Sequence, residues 1–152
     1  MKTLLTTLMV LCAAATAFAA GAPAPGTKTA QAPAKKPLFE RLGGKPAIEA
    51  VVDDFLGRVA KDERINAGFA TGDVPRLRQR LVELVCAGTG GPCVYSGRDM
   101  KSAHAGMKIT NAQFDALVGH LVATLDKFKV PSQEKGELLG VLGPMRGSIV
   151  EE

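Results

Sequence analysis

This chain has none of the common catalytic signatures. It contains no Ser-His-Asp pattern, no H-E-x-x-H pair, no glycine-rich phosphate loop and no dinucleotide fingerprint. Those absences remove the most frequent hydrolase, metalloprotease, nucleotide and nicotinamide chemistries. Histidine is scarce: His104 and His120 are the only two, and a glycine-containing stretch separates them. They cannot serve as i, i+4 partners for one metal on one helix. Alternating strand patterns and hairpin dipeptides are missing too, which removes the β classes. Charge of one sign is missing from the bulk of the chain. Lys2, Lys28, Lys35 and Lys36 are the only charges before residue 40, and from Pro37 onward 15 Lys/Arg face 15 Asp/Glu. The net charge of +4 therefore gives no cationic face for nucleic acid.

What is present suits one folded domain. The 152 residues are 46% hydrophobic and 22% charged, enough apolar material for a core and too short for several domains. Residues 1–19 have the form of an export signal. Lys2 gives the positive start, Leu4 to Ala15 the apolar run, and Ala17-Phe18-Ala19 the small-residue cleavage pattern. The run is too short to span a bilayer, so no membrane span is expected after cleavage. Leu11 before Cys12 does not suit a lipidation site. Residues 20–37, rich in Ala, Pro and Lys, lack apolar periodicity and read as an extended tether. The folded domain is expected at 38–152, in the periplasm.

Removal of Cys12 with the signal leaves Cys86 and Cys93, in Cys86-Ala-Gly-Thr-Gly-Gly-Pro-Cys93. In an oxidising compartment such a pair across a Gly/Pro turn reads most simply as a structural disulfide. A catalytic dithiol is the alternative, without the C-x-x-C spacing. Covalent C-x-x-C-H haem attachment is excluded by the same spacing.

Apolar periodicity predicts helices. Pro46 to Lys61 carries Ile48, Val51, Val52, Phe55, Leu56 and Val59 on one stripe. Asp73-Val74-Pro75 starts a second, with Val74, Leu77, Leu81, Leu84 and Val85, ending at the Gly88-Thr89-Gly90-Gly91 breaker. Thr110-Asn111-Ala112-Gln113 fits a capping box before the stripe Phe114, Leu117, Val118, Leu121, Val122, Leu125 and Phe128. A last helix from Pro131-Ser132 is expected to bend at Gly143-Pro144. The class is all-α with glycine-rich joints.

A zinc site lacks ligands in such a chain, but one imidazole suffices where a macrocycle supplies the rest. The order of residues points the same way. Leu42-Gly43-Gly44, Ala47 to Phe55, Phe69, Gly90-Gly91-Pro92 with Tyr95-Ser96-Gly97, and Met100-Lys101-Ser102-Ala103-His104-Ala105-Gly106-Met107-Lys108-Ile109-Thr110 resemble the truncated haemoglobins, group I. The resemblance covers about Leu38 to Val150. It implies a truncated globin-like two-over-two helical sandwich around haem b (iron protoporphyrin IX), with the paired glycines at its joints.

Carried over by that resemblance, His104 matches the iron ligand and Phe69 the aromatic packed on the porphyrin. Tyr95, Met100, Met107, Ile109 and Phe114 match haem-lining positions. Leu56, Leu77 and Leu81 match the distal ligand pocket, and Arg80 matches a residue able to reach a propionate or, in some members, the iron. In isolation Leu56, Leu77, Leu81 and Phe114 read as simple helix core, and His120 reads as structural. The departure from the family lies on the distal side. Many members place Tyr at the position of Leu56 and Gln at that of Leu81, where they donate hydrogen bonds to oxygen. With Leu at both, faster oxygen release is expected, and Leu56→Tyr is expected to slow it. Arg80 swinging inward would offset the loss.

The implied function is a haem-binding globin that reversibly binds oxygen or another diatomic ligand, such as carbon monoxide or nitric oxide. Two alternatives stand beside it. A nitric oxide dioxygenase or peroxidase-like haem enzyme needs a separate reductase, because no reductase domain fits this length. A haem-free helical interaction module on its tether predicts a colourless protein that tolerates His104→Ala.

Overall fold

The structure, a computed structural model, describes residues 35–70 and 72–151. The signal at 1–19 and the tether as far as residue 34 lie outside the described residues. The described residues form helices and no strand.

A short α1 (Leu38–Arg41) and the long α2 (Gly44–Val59) meet at Gly43 and Gly44. Their φ values, 97° and 72°, are left-handed. A Cβ on Gly43 would sit 2.9 Å from the Ala47 Cβ, so this joint needs glycine. The joint starts α2 two residues before the Pro46 expected from sequence. Ile48, Val52, Phe55 and Val59 are its buried residues, at the predicted i, i+4, i+7, i+11 spacing.

After the single turn α3 (Ala67–Ala70), Asp73 caps α4 (Val74–Gly88) by accepting the Arg76 N–H at 3.1 Å. Pro75 lies in the first turn of α4, where no N–H is needed. Another short helix, α5 (Met100–His104), is capped by Asp99. The predicted capping box of α6 (Asn111–Lys127) has both halves: Thr110 Oγ1 accepts from Gln113 N–H, and Gln113 Oε1 accepts from Thr110 N–H. α7 (Ser132–Leu142) gives way at Gly143–Met145 to a tighter 3-10 turn, followed by α8 (Arg146–Ile149).

Two residues of the predicted stripes lie outside the core. Val74 is the first residue of α4 and is 49% exposed. Phe128 follows the last helical residue of α6 and is 41% exposed. In both cases the helix end, rather than the period, decides the environment.

α2 packs against both α4 and α6, α1 against α7, and α5 against α8. Ile48, Val52, Val82 and Cys86 join α2 to α4. Phe55, Val59 and Ile65 meet Leu117 and Leu121 of α6. Leu38, Leu125 and Leu138 join α1, α6 and α7. Arg41 completes that last junction by pairing with Glu134 at 2.6 Å and with Glu137. The result is a two-over-two helical sandwich, with α2 and α4 laid over α6 and α7.

Candidate functional site

The sandwich encloses a cavity of about 190 Å³. Phe55 of α2, Leu77 and Leu81 of α4, Met100 and His104 of α5 and Phe114 of α6 all reach it. The remaining lining side chains are hydrocarbon apart from the Met145 thioether, so among the described residues His104 is the one lining residue with a titratable side chain. An apolar wall that excludes water around one polar group is the usual form of a small-molecule or cofactor site.

His104 ends α5, and its Nδ1 lies 2.7 Å from the Met100 carbonyl oxygen. A carbonyl can only accept, so Nδ1 carries the proton and Nε2 holds the lone pair. Nε2 has no hydrogen-bond partner among the described residues. The backbone contact thus fixes both tautomer and ring orientation, as it does for histidines that bind metals. No group of three or more His, Cys, Asp or Glu side chains among the described residues could hold a metal ion. One imidazole with a committed lone pair, at the edge of an apolar slot, fits a macrocyclic iron group that needs a single protein ligand.

Of the residues singled out from sequence, Phe69, Leu77, Leu81, Met100 and Phe114 come together with His104 around this cavity. Five others are placed elsewhere. Leu56 packs against the core residues at the α2–α4 and α2–α6 junctions, while Phe55, one position earlier, lines the cavity. A step of one residue turns a side chain about 100° around a helix; Phe55 is both buried core and cavity wall, whereas Leu56 is half-buried beside that core. Arg80 is held by Glu83 at 2.8 Å. The Tyr95 hydroxyl donates to the Arg98 carbonyl oxygen at 2.9 Å, closing its own loop. Met107 is 46% exposed. Ile109 is half-buried, and its carbonyl accepts the Glu151 N–H. Sequence reasoning did not assign Phe55, Leu117 and Val118 to the site. Their only signal was membership of the stripes already given to the core.

The loop between α4 and α5 is fastened to α4 at two places one turn apart. Glu83 Oε2 accepts from both the Ser96 hydroxyl, at 2.8 Å, and the Ser96 N–H, at 3.1 Å. These bonds, with help from the Gln79 amide, bring the Glu83 carboxyl down to about 2. Three residues further along α4, the Cys86 sulfur lies 1.95 Å from that of Cys93. Gly91 makes room for this crossing, because a Cβ there would fall 2.7 Å from the Cys86 sulfur and 2.5 Å from the Phe39 ring. His120 lies away from the cavity. Its Nε2 meets Asp62 Oδ2 at 2.7 Å, and the Arg64 guanidinium and His120 together hold that carboxyl below the usual range.

Known proteins with this arrangement define the class. The family model of the bacterial-like globins matches residues 37–151, and the chain belongs to that family. It is similar to the group 1 truncated hemoglobin GlbN of Mycolicibacterium paratuberculosis, with 38% identity over 112 residues, 74% of this chain and 82% of that protein. The group 1 truncated hemoglobin of Tetrahymena thermophila is 35% identical over 105 residues, 69% of this chain and 87% of that one. Among solved structures, the Fe(III) form of truncated hemoglobin from Tetrahymena pyriformis superposes with a TM-score of 0.74 at 31% identity. It covers 77% of this chain and 100% of its own. The 2/2 hemoglobin from Synechococcus sp. PCC 7002, in the cyanomet state and with covalently attached heme, gives 0.72 at 30% identity, covering 76% and 99%. The two-over-two sandwich is the truncated-globin fold.

Proposed function

We propose that the protein is a haem-binding globin that reversibly binds oxygen or another diatomic ligand, with His104 as the single protein ligand to iron. The observation that carries this is the lone imidazole of an otherwise apolar cavity, with Nδ1 bonded to the Met100 carbonyl and Nε2 left to bind. When bound, the group supplies an iron that takes one imidazole and leaves a position for a small ligand. Met100 supports His104 twice, through its carbonyl on Nδ1 and through its side chain in the wall. Phe69 and Phe114 add aromatic surface. Leu77 and Leu81 keep water out and offer a ligand no hydrogen bond.

Several finer points belong to the same reading. The macrocycle in this reading is haem b, held through its iron; the chain has no C-x-x-C-H pair for thioether attachment. Cleavage after Ala19 delivers the chain to the periplasm, where Cys86 and Cys93 form a disulfide; the export-type start and the proximity of the two sulfurs support this. Iron that oxidises there depends on a separate reductase for its return to the ferrous state.

The test is the visible spectrum of the mature protein reconstituted with hemin, reduced, and exposed to carbon monoxide, beside His104→Ala. The expected result is a sharp Soret band that shifts with carbon monoxide and is lost or altered in the variant. A wild-type protein that retains no haem overturns the proposal.

A further inference from the structure

Immediately after the ligand histidine the chain makes a turn that holds little together by itself. The His104 carbonyl accepts the Met107 N–H at 3.1 Å. Gly106 and Lys108 both take left-handed φ values, 80° and 53°. For lysine that conformation is unfavourable and needs support from outside. α5 itself has only five residues, too few for a helix to keep its own geometry.

The support comes from the far end of the chain. Glu151 Oε1 accepts the Gly106 N–H at 2.8 Å, and Oε2 accepts the Lys108 N–H at 2.6 Å. Its own N–H donates to the Ile109 carbonyl at 3.0 Å. One terminal residue therefore grips the turn at three backbone groups. α8, which ends two residues before Glu151, is anchored on α6. Arg146 of α8 donates to the Asn111 side chain at 2.9 Å, pairs with Asp115 at 2.9 Å and lies over the Phe114 ring, 5.2 Å from its centre.

From this geometry we infer that Glu151 is a positioning residue for His104: its carboxylate sets the turn that ends α5 and thereby the angle at which the imidazole meets the iron. The inference rests on the haem reading of the site. The path is short and covalent. The turn clamped by Glu151 begins at the His104 carbonyl, so any relaxation at Gly106 or Lys108 reaches the backbone that carries the ring. The Met100 bond fixes the ring within α5, and Glu151 ties the turn after α5 to the chain that follows α8, which Arg146 holds on α6.

The experiment uses the full mature chain loaded with hemin and reduced, as wild type, E151Q and E151A. Two quantities are read: the iron–imidazole stretching band by resonance Raman, and the rate of hemin transfer to an acceptor globin. E151A is expected to broaden and shift the band and to speed hemin loss about tenfold, the usual order for loss of a group supporting a metal ligand. E151Q keeps one acceptor oxygen and is expected to fall between. It also preserves a readable protein if E151A loads poorly. A band and a loss rate equal to wild type in the variants overturn the inference, even if their melting temperature falls, because a clamp on the fold alone leaves the iron–imidazole band in place. A wild type that takes up no haem overturns the proposed function and this inference together, whereas a loaded wild type with unmoved variants overturns this inference alone.

Discussion

The two walls of the cavity are held by different physics. The wall made by α2 and α4 consists of helices of 16 and 15 residues. Ile48, Val52, Val82 and Cys86 bury their apolar surface between them. Burial is non-directional and spread over many contacts; the Arg78–Asp53 pair also joins these helices, but at their exposed edge, where such pairs contribute little. The wall that carries His104 is a five-residue helix with no fully buried residue. Directional bonds hold it instead: the Asp99 cap, the Glu83 bonds to Ser96 and the grip of Glu151. A ligand must be aimed, which directional bonds can do; a water-excluding wall needs only to be closed.

The comparison breaks most visibly in the first wall. Ile48 is 3% exposed and sits at the centre of the α2–α4 junction. Ile48→Ala removes its packing and leaves a void, expected to cost about 3 kcal/mol of unfolding free energy in urea titration of the full chain. Ile48 also lines the cavity, but the iron–imidazole band of the loaded variant should stay at its wild-type position, since none of the bonds that hold α5 involves Ile48. A displaced band would show that the two walls are not independent.

A smaller effect sharpens the same wall by giving it direction. Leu81 lines the cavity and carries no donor. Leu81→Gln places an amide N–H there, and one hydrogen bond to a polarised ligand is worth about 1.5 kcal/mol. That corresponds to about tenfold slower oxygen release, measured by rapid mixing of the oxygenated protein with carbon monoxide. Carbon monoxide, less polarised than oxygen, should be retained with little change. Equal slowing of both gases would point to a steric cause instead.

How much of this could be read beforehand follows the same division. The burial of Ile48, Val52, Phe55 and Val59 was legible because a helical stripe states it directly. The caps at Asp73 and Thr110 were legible because the residue and its partner lie three positions apart. His104 and most of its neighbours were legible only by family resemblance, since five residues are too few to show a period. The roles of Glu83 and Glu151 were not legible. Their partners lie 13 and about 45 positions away, and a carboxylate that accepts from a backbone N–H leaves no mark on the residue that donates. Arg80 shows the same limit from the other side: resemblance pointed it toward the haem, and Glu83, one turn along, holds it by an ion pair.

The smallest expected effect lies at that Glu83 junction and separates directional from non-directional support by acidity alone. The Glu83 carboxyl is lowered from 4.5 to about 2, first by the Ser96 hydroxyl and then by the Ser96 N–H. A carboxyl whose folded value is depressed contributes stability above its unfolded value, and that contribution is lost as pH falls through the folded one. The pins on the loop should therefore be intact above about pH 4.5 and weaken down to pH 2. Asp54, lowered to about 2 by Arg58 first and then Lys127, and Glu137, lowered to about 2 by Arg41 first, titrate in the same window. Global stability alone therefore cannot isolate the loop. Glu83→Gln can, because the amide keeps an acceptor for Ser96 but does not ionise. Exchange of the Ser96 amide with deuterium, corrected for its intrinsic rate, should quicken between pH 4.5 and 3 in wild type. In the variant it should be modestly fast and flat across that range. The Val82 amide, inside α4 and dependent on burial, should show no such local step in either protein. A parallel rise at Ser96 and Val82 in wild type would mean that the loop opens only when the whole fold does, and the contrast between the two walls would then fail at this point.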